Sequence, residues 1–141
     1  MLSTQAPATL VLTVSGETGC SGLAVDTSYF YTACSGGERV IRIARTTGTV
    51  TTILDAGFDA SGQSNSLQGR DNDADGVFDY LYVQSFFEEA YFVCDPGTNA
   101  PFTGDLFNFG TGAGNYGLGY DFGSNTLWML DDDNRDIIRV Q

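Results

Sequence analysis

Three segments of this chain repeat at regular offsets, and no other feature restricts the fold as much. Gly22-Leu23-Ala24-Val25-Asp26 matches Gly117-Leu118-Gly119-Tyr120-Asp121 at an offset of 95 residues. Tyr29-Phe30-Tyr31 matches Tyr80-Leu81-Tyr82 at an offset of 51, and Thr126-Leu127-Trp128 lies a further 46 on. The next segment keeps those two steps, so Val40-Ile41-Arg42-Ile43 aligns with Tyr91-Phe92-Val93-Cys94 and with Ile137-Ile138-Arg139-Val140. Within each unit, short β-branched and aromatic runs alternate with turn residues, and no stretch sustains a helical period. The fold class is therefore all-β.

Each unit reads as four strands in about 47 residues, the size of a β-propeller blade. Residues 1–141 then form one partial propeller domain. Blade 1 spans 22–54, with strands at Gly22–Asp26, Tyr29–Cys34, Val40–Arg45 and Thr49–Leu54. Blade 2 spans 67–109, with strands at Leu67–Arg70, Tyr80–Phe86, Tyr91–Cys94 and Asp105–Phe109. Blade 3 spans 117–140 and has only three: Gly117–Asp121, Thr126–Leu130 and Ile137–Val140. The fourth strand is expected at the other end of the chain. Leu12-Thr13-Val14 aligns with Phe107-Asn108-Phe109 at the same offset of 95, so Ala8–Val14 is a fourth strand without a blade.

Three blades are too few to close a ring, since propellers use about four to eight. Two chains arranged head to tail solve this, each Ala8–Val14 completing its partner's last blade in a six-bladed homodimer. A fragment of a longer propeller, or an open assembly by donated strands, remains the alternative. A single-chain β-sandwich fits the strand number and leaves the offsets unexplained.

These segments resemble the bacterial NHL/YVTN-like and streptogramin-lyase-like propeller repeats. The residues that carry the resemblance are Gly-Leu-Ala-Val-Asp, Tyr-Phe-Tyr and the run from Arg39 to Thr52, with a second copy from Gly117 to Val140. The resemblance implies propeller blades and leaves function open, because such repeats serve lyases, lactonases, scaffolds and adhesins. The lyases of this group use histidine, and this chain has none.

Composition narrows the chemistry further. All 6 basic residues are Arg, so without His or Lys there is no histidine general base, His-ligated zinc or lysine Schiff base. A net charge of −12 opposes binding to nucleic acid or an anionic membrane surface. No apolar run approaches the length of a membrane span, and Met1–Pro7 shows no signal peptide.

The most specific chemical motif is Asp71-Asn72-Asp73-Ala74-Asp75-Gly76-Val77-Phe78-Asp79, placed between the first two strands of blade 2. Alternating carboxylates in a tight loop converge, and Ca²⁺ takes about six to eight hard oxygen ligands. The side chains of Asp71, Asp73, Asp75 and Asp79 and the carbonyl of Val77 are the expected ligands. An EF-hand would need an acidic residue where Tyr82 stands. The loop looks instead like the calcium loops of FG-GAP-type propeller blades, which end at the ninth position. A solvated acidic turn is the plainer alternative, but spacing, glycine and context favour calcium, with a stabilising role.

Other features read more simply. Asp131–Asp136 lacks the alternation and reads as a solvated turn. Arg42 and Arg139 are expected to pair with nearby aspartates, and the aromatics around Glu88-Glu89 (Phe86, Phe87, Tyr91, Phe92) to pack in the core, with sugar or protein contact as the alternative. Cys20 and Cys34 each lie seven residues from the turn at Thr27, so they face each other across the first hairpin. A disulfide there is geometrically possible and would place the protein outside the cytosol, extracellular or at the cell surface. Cys94 aligns with apolar positions and reads as a buried thiol.

The first functional expectation is a non-enzymatic, calcium-stabilised propeller module for extracellular binding or self-assembly. The alternatives are a metal-dependent enzyme with ligands from Asp26, Asp121 or Asn115, or a structural subunit that polymerises through Ala8–Val14.

Overall fold

Antiparallel hairpins build the described part of the fold. The structure is a computed structural model and describes residues 10–14, 16–34, 39–54, 66–85, 90–97, 107–108, 115–121, 123–124, 126–131 and 135–140. The described residues contain eleven strands: β1 Cys20–Val25, β2 Tyr29–Cys34, β3 Arg39–Ala44, β4 Val50–Leu54, β5 Leu67–Arg70, β6 Tyr80–Ser85, β7 Ala90–Cys94, β8 Phe107–Asn108, β9 Asn115–Asp121, β10 Thr126–Asp131 and β11 Asp136–Val140. They form three antiparallel sheets in the orders β1-β2-β3-β4, β5-β6-β7-β8 and β9-β10-β11. Among the described residues there is no helix, and the sheets make an open stack with no closed barrel or ring.

Strand ends agree with the repeat boundaries to within one or two residues. The ends expected at 105, 106 and 109 fall outside the described residues. β1 carries a bulge between Ser21 and Ala24, which keeps Cys20 opposite Cys34. The two are joined by a disulfide, as the hairpin spacing predicts. The side chain of Cys94 is outside the described residues.

The period-2 alternation sorts each strand between two neighbours. On one face of the first sheet, Ala24, Tyr31, Ala33, Val40 and Ile53 pack with Leu67, Leu81 and Val83 of the second. Tyr82 and Val93 point the other way, toward Leu118, Tyr120, Leu127, Met129 and Ile138 of the third sheet. The first strands of consecutive sheets are neighbours, β1 against β5 and β5 against β9. Two polar links reinforce the stack: the Leu118 amide donates to Ser66 Oγ at 3.1 Å, and Arg42 donates to the Pro96 carbonyl. Arg42 also lies over the Tyr29 ring of its own sheet, so it bridges two sheets.

Only part of the expected strand Ala8–Val14 is described. Residues 8 and 9 are outside the described residues, and 10–14 form no strand in the single chain. A strand exists only through its ladder, and the sheet that the repeat assigns to this segment lies at the far end of the stack. Leu12 and Val14 instead cover Cys34 and Ile41, with Ile43 and Phe30, on the outer face of the first sheet.

Candidate metal centre

The Asp71–Asp79 loop owes its shape to the strands that flank it. β5 and β6 pair with Arg70 opposite Tyr80, and the Asp79 amide donates to the Arg70 carbonyl at 2.8 Å. The first and last aspartates are thereby brought side by side at the base of the loop. Inside it, Asp71 accepts the amides of Ala74 at 2.7 Å and Gly76 at 2.8 Å, and Asp79 accepts that of Asn72 at 2.6 Å. Asp73 and Asp75 accept the amides of Asp75 and Val77. Gly76 has φ +89°, and a Cβ there would also lie 2.8 Å from Thr27 Cγ2, so glycine is required twice over.

Asp71, Asp73 and Asp79 each present a carboxylate oxygen within 4.8 Å of the others. Asp75 is not in this group. Like charges this close repel by roughly 1 kcal/mol per pair even at the dielectric of water. The donors are all hard oxygens, which suits a Ca²⁺-type cation and excludes a soft-metal site.

The loop is docked onto the first sheet, a feature that the motif does not reveal. Thr27 donates to the Gly76 carbonyl from its amide at 2.9 Å and from its hydroxyl at 2.6 Å. The centre of this junction is Asp26, a buried carboxylate. It accepts the amides of Ser28 and Tyr29 at 2.7 Å, the Tyr31 hydroxyl at 2.6 Å and, across the sheets, the Phe78 amide at 3.1 Å. Phe78 in turn packs against Tyr31, with ring centroids 5.6 Å apart.

Asp121 holds the equivalent hairpin in the third sheet. It accepts the Gly123 amide at 2.9 Å and the Ser124 hydroxyl at 2.6 Å. The Ser124 hydroxyl, then the Gly123 amide, hold its carboxyl below the usual aspartate range. Two of the three residues raised by the enzyme reading, Asp26 and Asp121, thus act as turn caps. The side chains of Asn115, Phe86, Phe87, Tyr91 and Phe92, and residues 132–134 of the other acidic run, lie outside the described residues.

Burial pushes the Tyr31 phenol far above the ordinary tyrosine value, and its bond to the Asp26 carboxylate adds to the shift. A group whose folded pKa is raised contributes stability that is complete below its unfolded pKa, about 10 for tyrosine, and is lost as pH rises above it. Stability is therefore expected to fall above pH 10 by up to about 1.4 kcal/mol per pH unit from this residue. Tyr31→Phe should flatten that part of the decline, as measured by urea unfolding at pH 9, 10 and 11. An unchanged slope would show that Tyr31 ionises normally.

The chain matches no family model and no curated protein.

Proposed function

We propose that the chain is a non-enzymatic, calcium-stabilised β-propeller module for extracellular binding or self-assembly. The observation that carries this reading is the stack itself. Antiparallel sheets follow one another face to face with their first strands adjacent, which is how propeller blades are arranged about an axis. The repeat, similar to NHL/YVTN-like blades, supports the same assignment.

Calcium bound by Asp71, Asp73 and Asp79, with Val77 and Asp75 as further candidate ligands, would relieve their mutual repulsion. It would thereby stiffen the loop that ties the second sheet to the first through Thr27 and Asp26. That role needs no catalytic group, in keeping with a chain lacking His and Lys. The Cys20–Cys34 disulfide is compatible with an extracellular location. No helix among the described residues is long and apolar enough to cross a membrane.

Calcium at ten to a hundred times its Kd should stabilise the fold by roughly 2 kcal/mol, several degrees in Tm. Thermal melts with excess Ca²⁺ and with chelator test this, and Asp73→Asn should abolish the difference. Identical melts with calcium and chelator would reduce the loop to an acidic turn.

A further inference from the structure

Both end faces of the stack are apolar on a strongly acidic protein. On the first sheet, Leu23, Phe30, Thr32 and Ile43, with the segment Leu10–Val14, line an open groove of about 360 Å³. Leu10 and Val11 are 81% and 76% exposed there. On the third sheet, Trp128, Leu130 and Ile137 point outward beside Gly117 and Gly119, and Ile137 is 73% exposed. The buried interfaces between the sheets are made of residues of the same kind.

The position of Leu12 and Val14 shows what the groove lacks. In the first sheet, the fourth strand β4 sends Ile53 into the core shared with Leu67, Leu81 and Val83 of the next sheet. Leu12 and Val14 likewise lie against the opposite face of the first sheet, on the cluster of Cys34, Ile41 and Ile43 with Phe30. The segment thus lies where the fourth strand of a preceding sheet belongs. The third sheet ends at the edge strand β11 and has no fourth strand among the described residues.

We infer that the groove is filled by the third sheet of a second copy of this chain. Trp128, Leu130 and Ile137 of that copy stack on Leu23, Phe30 and Ile43, and residues 10–14 pair with its β11. Two such contacts close a two-chain ring of six sheets. The inference rests on the propeller reading and adds the partner and the pairing register.

The second sheet sets that register. Its β8 pairs with β7 through Tyr91 opposite Phe107. Tyr91 aligns with Ile137, and Phe107 aligns with Leu12. Leu12 should therefore face Ile137 of the other copy. Each copy carries a charge of −12, so association should tighten with salt, which screens repulsion and favours apolar burial.

Native mass and cysteine cross-linking test the contact. The unmodified chain should run at twice its 15.1 kDa mass. The double variant Leu12→Cys/Ile137→Cys should form a covalent dimer under mild oxidation, and chains carrying one substitution each should cross-link only when mixed. Leu10→Cys/Ile137→Cys, out of register, should cross-link at least about tenfold more slowly. A monomeric mass without cross-linking, a bridge within one chain, or a ladder of longer species would each overturn the two-chain ring. A monomer whose Tm still rises with Ca²⁺ would remove the partner alone, whereas a dimer indifferent to Ca²⁺ would remove the calcium role alone.

Discussion

Gly69→Ala is expected to destabilise the fold by about 3 kcal/mol, a large effect for one methyl group. Gly69 is buried in β5, and a Cβ on it would overlap Cδ2, Cε2 and Cζ of the Phe78 ring. Backbone conformation is not the obstacle. The ring is the obstacle, because it is wedged between β5 and Tyr31 at the junction of two sheets. Either the strand moves from its neighbours or Phe78 leaves its site, and leaving forfeits part of the roughly 1.5–3 kcal/mol that full burial of such a side chain contributes. Urea unfolding should show the loss as a shift in midpoint without a change in slope. Phe78→Leu in the Gly69→Ala background should recover part of it, since the smaller side chain removes the overlap. If Gly69→Ala alone melts like the parent, the ring does not fill the space above β5.

Asp26→Ala should cost as much or more, about 3–5 kcal/mol. The carboxylate accepts four hydrogen bonds, three within its own hairpin and one from Phe78. Removing it leaves the buried Tyr31 hydroxyl and three amides without their acceptor, at roughly 1–3 kcal/mol for each group that water cannot reach. Asp26→Asn should be milder, because its amide oxygen can still accept from the Ser28 and Tyr29 amides, although its NH₂ cannot accept from the Phe78 amide. The loss in Asp26→Ala should be smaller in a Tyr31→Phe background, as expected for two groups that satisfy each other. Additive losses would show that Asp26 and Tyr31 act separately. The Asp26→Ala variant should also weaken the calcium effect on Tm, because Phe78 and the loop that carries it lose their tether to the first sheet.

The residues differ in how far their roles can be read from the chain. Cys20 and Cys34 are legible because one hairpin relates them: a turn near Thr27 brings them almost level, and the bulge between Ser21 and Ala24 supplies the last residue of register. The strands are legible for the same reason, since alternation and turn residues act over a few positions. The aspartate motif announces a convergent loop, yet it assigns equal parts to Asp71, Asp73, Asp75 and Asp79. The folded loop gathers three of them and turns Asp75 to the Val77 amide. Asp26 stands out in the sequence only as the end of the repeat matched by Asp121 and as a candidate ligand in the enzyme alternative. Its fourth hydrogen bond comes from a residue 52 positions away, and no local pattern reports such a partner.

Ala8–Val14 shows the same division from the other side. The offset of 95 marks it as a fourth strand, but a strand needs an edge to pair with, and within one chain it lies on the first sheet without forming a ladder. The sequence alone thus determined the strands, their order within each hairpin, the disulfide and the candidate cation loop, because each follows from chemistry repeated over short separations. Tertiary structure decided how the sheets stack, that Asp26 and Thr27 clamp the loop to its neighbour, and which faces stay uncovered. Those outcomes depend on side chains meeting across sheets, and that meeting is set by packing shape and not by spacing along the chain.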